Sequence, residues 1–151
     1  MKSCILVISL FFSTTTPVLA QDIFLTVKRQ GVYSSALNDL TIAIANHRYT
    51  LIKIQPVDKG LRRMGYHTRN YKVLFFGDKV QVDQVLKTNP EAAVMLPLRI
   101  ILYQKGDTVV ASTHSLELWK GVFGARLNPL IEQWEQDVRG ILQEFAGQQA
   151  L

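Results

Sequence analysis

The sequence predicts a two-layer α+β domain, a mostly antiparallel five-stranded sheet with helices packed on one face. Three observations carry this prediction. Five short runs rich in β-branched and aromatic residues are interrupted by turn residues, two of them joined through Lys105-Gly106-Asp107 as a hairpin. Two longer stretches place apolar residues at helical spacing. The densest apolar sequence, from Tyr71 to Gln104, lies between the flanking elements and is expected to form the middle of the sheet.

The chain has 151 residues, a length for one domain with its own core. Its first twenty read as a leader rather than as part of that domain. Lys2 supplies a positive start, Cys4 to Phe12 a short apolar run, and Ser13 to Ala20 a small-residue tract ending Val18-Leu19-Ala20. A mostly apolar run of nine residues falls short of the roughly 20 that a spanning helix needs, so the reading is a signal peptide (1–20) cleaved after Ala20, with no membrane span afterwards. The expected destination is outside the cytoplasm, periplasmic or secreted. Cleavage also removes Cys4, the sequence's one cysteine, so disulfides, thiol nucleophiles and cysteine metal sites are excluded from the domain at 21–151.

In order, Ile23 to Lys28 alternates as a first strand and stops before Gly31. Ser34 or Ser35 is placed to cap a helix whose Tyr33, Leu37, Leu40 and Ile44 share a face, with Asn46 as its C-cap. Arg48 to Ile54 is the second strand, with Thr50, Ile52 and Ile54 on one side and Tyr49, Leu51 and Lys53 on the other. A short helix is expected from Val57 to Met64, with Pro56 in its first turn and Gly65 at its end. Tyr71 to Phe76 ends at Gly77-Asp78, where Asp78 is placed to cap the next short helix. Leu98 to Gln104 and Thr108 to Ser112 form the hairpin. The last element is an amphipathic helix at 129–146, with Asn128 as N-cap, Pro129 at the first position, and Leu130, Ile131, Trp134, Val138, Ile141, Leu142 and Phe145 on one face.

Both sides of the two central strands are partly apolar, which a sheet with one solvated face would avoid. Ile101 and Tyr103, beside Arg99, stand on the side opposite Leu98, Ile100 and Leu102. That side is expected to be covered. A two-fold homodimer would bury Ile101 and Tyr103 with Arg99 and Lys72 at the rim, and the alternative is that the loop from Gln55 to Asn70 folds over it.

Residues 28–105 hold 13 basic and 5 acidic side chains, residues 107–151 only 3 against 6. The sheet-forming part is therefore the basic one. Arg62, Arg63, Arg69, Lys72 and Arg99 are the candidate binding residues for an anionic ligand or an acidic envelope partner, with a solvated basic loop as the plainer reading. Export argues against nucleic acid as the partner. His47, His67 and His114 sit in different elements with no ligand spacing, so no metal and no cofactor is expected. Ser112-Thr113-His114-Ser115 offers hydroxyls beside an imidazole, without a nucleophile elbow. No catalytic residue is assigned.

Val73-Leu74-Phe75-Phe76-Gly77, then Asn89-Pro90, then Leu96-Pro97-Leu98-Arg99 followed by Ile100 to Tyr103 and a hairpin resembles the domain of unknown function 302 family over about residues 23–123. The resemblance implies a small α+β domain with a cupped sheet similar to the TATA-binding-protein fold, a tendency to dimerise, and no established reaction. Gln55-Pro56-Val57-Asp58 stands where members commonly carry Asp-His, so any chemistry of that histidine is not expected here. The resulting expectation is an exported, non-enzymatic domain that binds a small ligand or partner protein. An accessory subunit acting only by association, or an enzyme of unassigned reaction class, stay open.

Overall fold

The computed structural model describes residues 23–68 and 70–147. The proposed leader, its cleavage site and Arg69 lie outside the described residues. Strands β1 (Phe24–Gln30), β2 (Thr50–Pro56), β3 (Tyr71–Gly77), β4 (Leu98–Lys105) and β5 (Thr108–His114) make one sheet in the order β1-β5-β4-β3-β2. Every neighbouring pair is antiparallel, and β4 takes the centre with β3 and β5 on either side. The apolar stretch from Tyr71 to Gln104 thus occupies the middle of the sheet.

Helices α1 (Tyr33–Asn46) and α4 (Asn128–Gly147) cover one face and pack on each other. Leu40, Ala43 and Ile44 of α1 and Trp134, Ile141 and Phe145 of α4 meet Leu74, Phe76, Ile100, Leu102 and Ala111 from the strands. Each of the larger aliphatic side chains in that layer contributes about 1.5–3 kcal/mol by leaving water. Helix α3 (Lys79–Thr88) follows β3, and the expected cap is present, the Asp78 carboxylate accepting from the Gln81 N–H at 2.8 Å. Helix α2 (Asp58–Arg63) lies between β2 and β3.

Several local expectations change, each because tertiary packing overrides a side-chain signal. Helix α1 starts two or three residues earlier than Ser34 or Ser35 would set it. Val32 holds the cap position without a side-chain bond, because burying the Tyr33 ring at the first position fixes where the helix begins. Its end is made by Arg48 at φ 66°, one of the few non-glycine residues in that region, and not by Asn46, whose amide donates to Glu144 at 2.7 Å. Pro56 closes β2 instead of opening α2, paired with Lys72. A bulge between Leu51 and Lys53 breaks the alternation of β2, so Leu51 and Ile54 both reach the core and Ile52 is left 59% exposed. Asn128 is already helical (φ −54°, ψ −45°), continuing a 3-10 turn at Ala125–Leu127, and its side chain accepts from the Gly121 N–H at 2.9 Å instead of capping α4.

Two buried charged side chains are held by hydrogen bonds from distant elements. Arg29, 5% exposed on the helix side of β1, bonds Asp39 and the Phe145 carbonyl and lies 4.7 Å over the Phe145 ring. Glu135, 3% exposed, ties α4 to the turn after β5.

Candidate functional site: the open face of the sheet

With Leu74, Phe76, Ile100 and Leu102 committed to the helices, the period of two sends Tyr71, Val73 and Phe75 of β3 and Arg99, Ile101 and Tyr103 of β4 to the other face. Register sets Tyr71 opposite Tyr103, Val73 opposite Ile101 and Phe75 opposite Arg99. The Tyr71 and Tyr103 rings stack with centroids 5.5 Å apart and planes 16° from parallel. Strand β5 adds Val110 opposite Tyr103 and Ser112 opposite Ile101, the Ser112 hydroxyl sharing a hydrogen bond of 2.7 Å with Thr26 of β1. Val110 is 2% exposed yet stands outside the helix-side core, so its packing comes from this second face.

The charges of this face are of one sign. Its strand positions carry exposed Lys28, Lys53, Arg99 and Lys105, and none of the five strands contains an acidic residue. An aromatic and aliphatic centre with a cationic surround is therefore built by β3, β4 and β5 with help from the two edges.

Of the sequence-predicted basic residues, the four that are described, Arg62, Arg63, Lys72 and Arg99, do not come together in one place. Lys72 alternates with Leu74 and so lies on the helix side, its ammonium 4.9 Å over the Tyr33 ring, which removes it from a rim shared with Arg99. Arg62 donates to Asp58 at 2.8 Å and to the Thr68 carbonyl at 3.3 Å. The hydrogen bond from Arg62, with help from Lys72, holds the Asp58 carboxyl below the usual carboxylate range. Burial first, then the Asp58 charge, pushes the Tyr33 hydroxyl well above its ordinary value. Arg62 and Lys72 thus both face Asp58, whose single charge is paired with Arg62 and offsets one of the two cations. Arg63 is exposed on α2, and Arg99 stands on the opposite face near the far end of β4. The bonds described for the 57–68 segment stay within it or run to the Tyr71 carbonyl, and none crosses to Ile101 or Tyr103.

The three histidines remain apart. His47 lies 3.4 Å from Glu144, His67 is exposed, and His114 ends β5 with its ring edge-on to Trp119 at 6.5 Å. Among the described residues no three His, Cys, Asp or Glu side chains converge as a metal site. His114 and Ser112 do share a face, but the Ser112 hydroxyl is bonded to Thr26 and not to the imidazole.

Burial, then the Arg99 charge, lowers the His114 pKa from 6.5, with Glu135 opposing. The neutral ring is thus favoured in the folded state, and the unfolded chain binds more protons below pH 6.5. The stabilisation is complete above pH 6.5 and is lost as pH falls from there towards the folded-state value. We expect the melting temperature to drop over that window, and the drop to shrink in His114→Phe. Equal slopes in thermal melts of the two proteins would contradict the assignment.

Alternation alone pointed to Ile101 and Tyr103. Alternation also set Tyr71, Val73 and Phe75 on one side of β3, but the contributions of Val110, Lys28 and Lys53 depend on strand order, which no local pattern states.

A family model described as "Domain of unknown function DUF302" matches residues 25–145, reaching through α4 and so beyond the 123 at which the motif resemblance stopped. The fold is similar to the crystal structure of an uncharacterized conserved DUF302 protein from Bacillus stearothermophilus, with a TM-score of 0.72 and 16% sequence identity over 81% of this chain and 97% of that one. No curated protein matches the sequence.

Proposed function

The chain belongs to the DUF302 family, and from that premise we propose that it is an exported, non-enzymatic binding domain that receives an acidic partner protein on the open face of its sheet. One observation carries the reading: the stacked Tyr71 and Tyr103 with Val73 and Ile101 form an apolar centre whose surrounding strand charges, Lys28, Lys53, Arg99 and Lys105, are all positive. Export rests on the leader-like pattern of residues 1–20.

Charge favours an acidic partner over a second copy. Five strands about 4.8 Å apart and seven residues long give a footprint of roughly 24 by 23 Å, or about 550 Å². A standard interface buries about 800 Å² of accessible surface per partner, and the side chains of this face give it more accessible surface than its flat outline, so its size suits a protein partner. Face-to-face pairing of two copies would set cations against cations with no carboxylate between them, whereas an acidic partner gains from the same charges in binding rate and specificity.

The test uses an amphipathic helical peptide of Glu and Leu residues, with its Lys and Leu counterpart as control, against the mature protein followed by amide NMR shifts. Shifts on β3, β4 and β5 with the acidic peptide alone, weakening between about 0.1 and 1 M salt as the Debye length falls from ~10 to ~3 Å, are expected. Tyr103→Glu should abolish them. No shifts, or equal binding of both peptides, would refute the proposal. A light-scattering dimer that Tyr103→Glu converts to a folded monomer would assign the face to self-pairing instead.

A further inference from the structure

We propose that the groove between α3 and the segment leading into α4 is a binding site for a carboxylated sugar, a hexuronate. It lies on the helix side and is independent of the sheet-face proposal. The groove encloses about 860 Å³, within the range of small-molecule sites. Gln81, Gln84 and Thr88 of α3 recur at positions i, i+3 and i+7 and so form one wall, while Gln133 and Arg126 stand on the other. Buried Val85 and Leu127 make the floor.

Three features show that the site is held in shape. The Gln81 carbonyl accepts the indole N–H of buried Trp134 at 2.6 Å, which fixes the amide with its NH2 group turned the other way. Asn89 donates to the Phe123 carbonyl at 3.3 Å and ties the end of α3 to the far wall. Phe123 lines the groove, with its ring stacked on Trp119 at 5.6 Å and 20°.

The chemistry follows from what these groups recognise. Carboxamides donate and accept together, as hydroxyl groups do, so Gln81, Gln84 and Gln133 match a polyhydroxylated ligand. A fixed aromatic ring suits the C–H face of a pyranose. Among the described residues Arg126 is the one charged side chain lining the groove and no carboxylate lines it, and its guanidinium fork fits a carboxylate. A neutral sugar would leave Arg126 unused, and a simple inorganic anion would leave the amides and Phe123 unused.

Trp119 and Trp134, the two tryptophans of the sequence, each touch a groove residue, so intrinsic fluorescence reports occupancy. Titration of the mature protein with glucuronate should give a saturable emission change. Glucose should respond about tenfold more weakly, the worth of one charge-assisted hydrogen bond of about 1.4 kcal/mol, and inorganic phosphate and acetate not at all. Arg126→Gln should bring glucuronate down to the glucose level, and Gln84→Leu with Gln133→Leu should abolish both responses. These three residues are outside the buried core, so the variants are expected to fold, which circular dichroism checks. Tyr103→Glu should leave the titration unchanged. Absence of a glucuronate response, an equal response to phosphate or acetate, or a glucuronate response unaltered in the groove variants would overturn the proposal.

Discussion

Replacing Trp134 with alanine will destabilise the protein by about 3–5 kcal/mol, the range for truncating a fully buried aromatic residue. Trp134 is 1% exposed and is among the largest completely buried side chains, so its removal opens a cavity that neighbours held by the sheet cannot fill. It also strips the Gln81 amide of its indole partner and so loosens α3. Urea melts of Trp134→Ala and Trp134→Phe separate the two contributions. The phenylalanine variant keeps much of the volume and loses the hydrogen bond, and it should recover more than half of the loss. A cost below about 1 kcal/mol for the alanine variant would mean that α4 does not pack on the sheet as described.

Glu135→Leu will cost about 3 kcal/mol although it places an aliphatic side chain in a buried position. The Glu135 carboxylate accepts the Leu116 N–H at 2.6 Å, the Ser115 hydroxyl at 3.1 Å and the Arg139 guanidinium at 2.7 Å. A leucine leaves the first two donors buried without a partner, each such group costing about 1–3 kcal/mol. Arg139 is half exposed and returns to water at little cost. Because those bonds anchor the 3-10 turn Leu116–Trp119 that follows β5, the near-ultraviolet signal of Trp119 should change with the stability. Glu135→Gln keeps one acceptor oxygen and should lose less. Denaturant melts in which leucine and glutamine variants both match the wild type would show that the turn is held by other contacts.

Glu135 also illustrates why the inward face of α4 was only partly legible. Its position one residue after Trp134 and three before Val138 places it within the apolar stripe, yet as a charged residue it reads as surface. Burial became possible because two backbone and hydroxyl donors from a distant turn converge on it, and no spacing within the helix reveals that convergence. Arg29 is the same case on β1, where Asp39 and the Phe145 carbonyl arrive from two different helices.

The sequence by itself determined what depends on period and on local turn chemistry: five strands, the Lys105-Gly106-Asp107 hairpin, the α3 cap at Asp78, the inward stripe of α4, the two-sided apolarity of β3 and β4, and the basic character of the sheet. These are properties of residues near one another in the chain, where alternation and helical spacing translate directly into faces. Only the tertiary structure decided what depends on pairing and convergence. The order β1-β5-β4-β3-β2 brings Lys28 and Val110 alongside Tyr103. A single bulge at Ile52 changes which residues of β2 face inward. Strand parity sends Lys72 to Tyr33 and leaves Arg99 on the other face, dividing a basic set that is continuous in composition. The groove of Gln81, Gln84 and Gln133 depends on α3 and α4 being brought side by side by contacts such as Trp134 to Gln81, 53 residues apart in the chain, and long-range contacts of that kind leave no periodic signal in either segment.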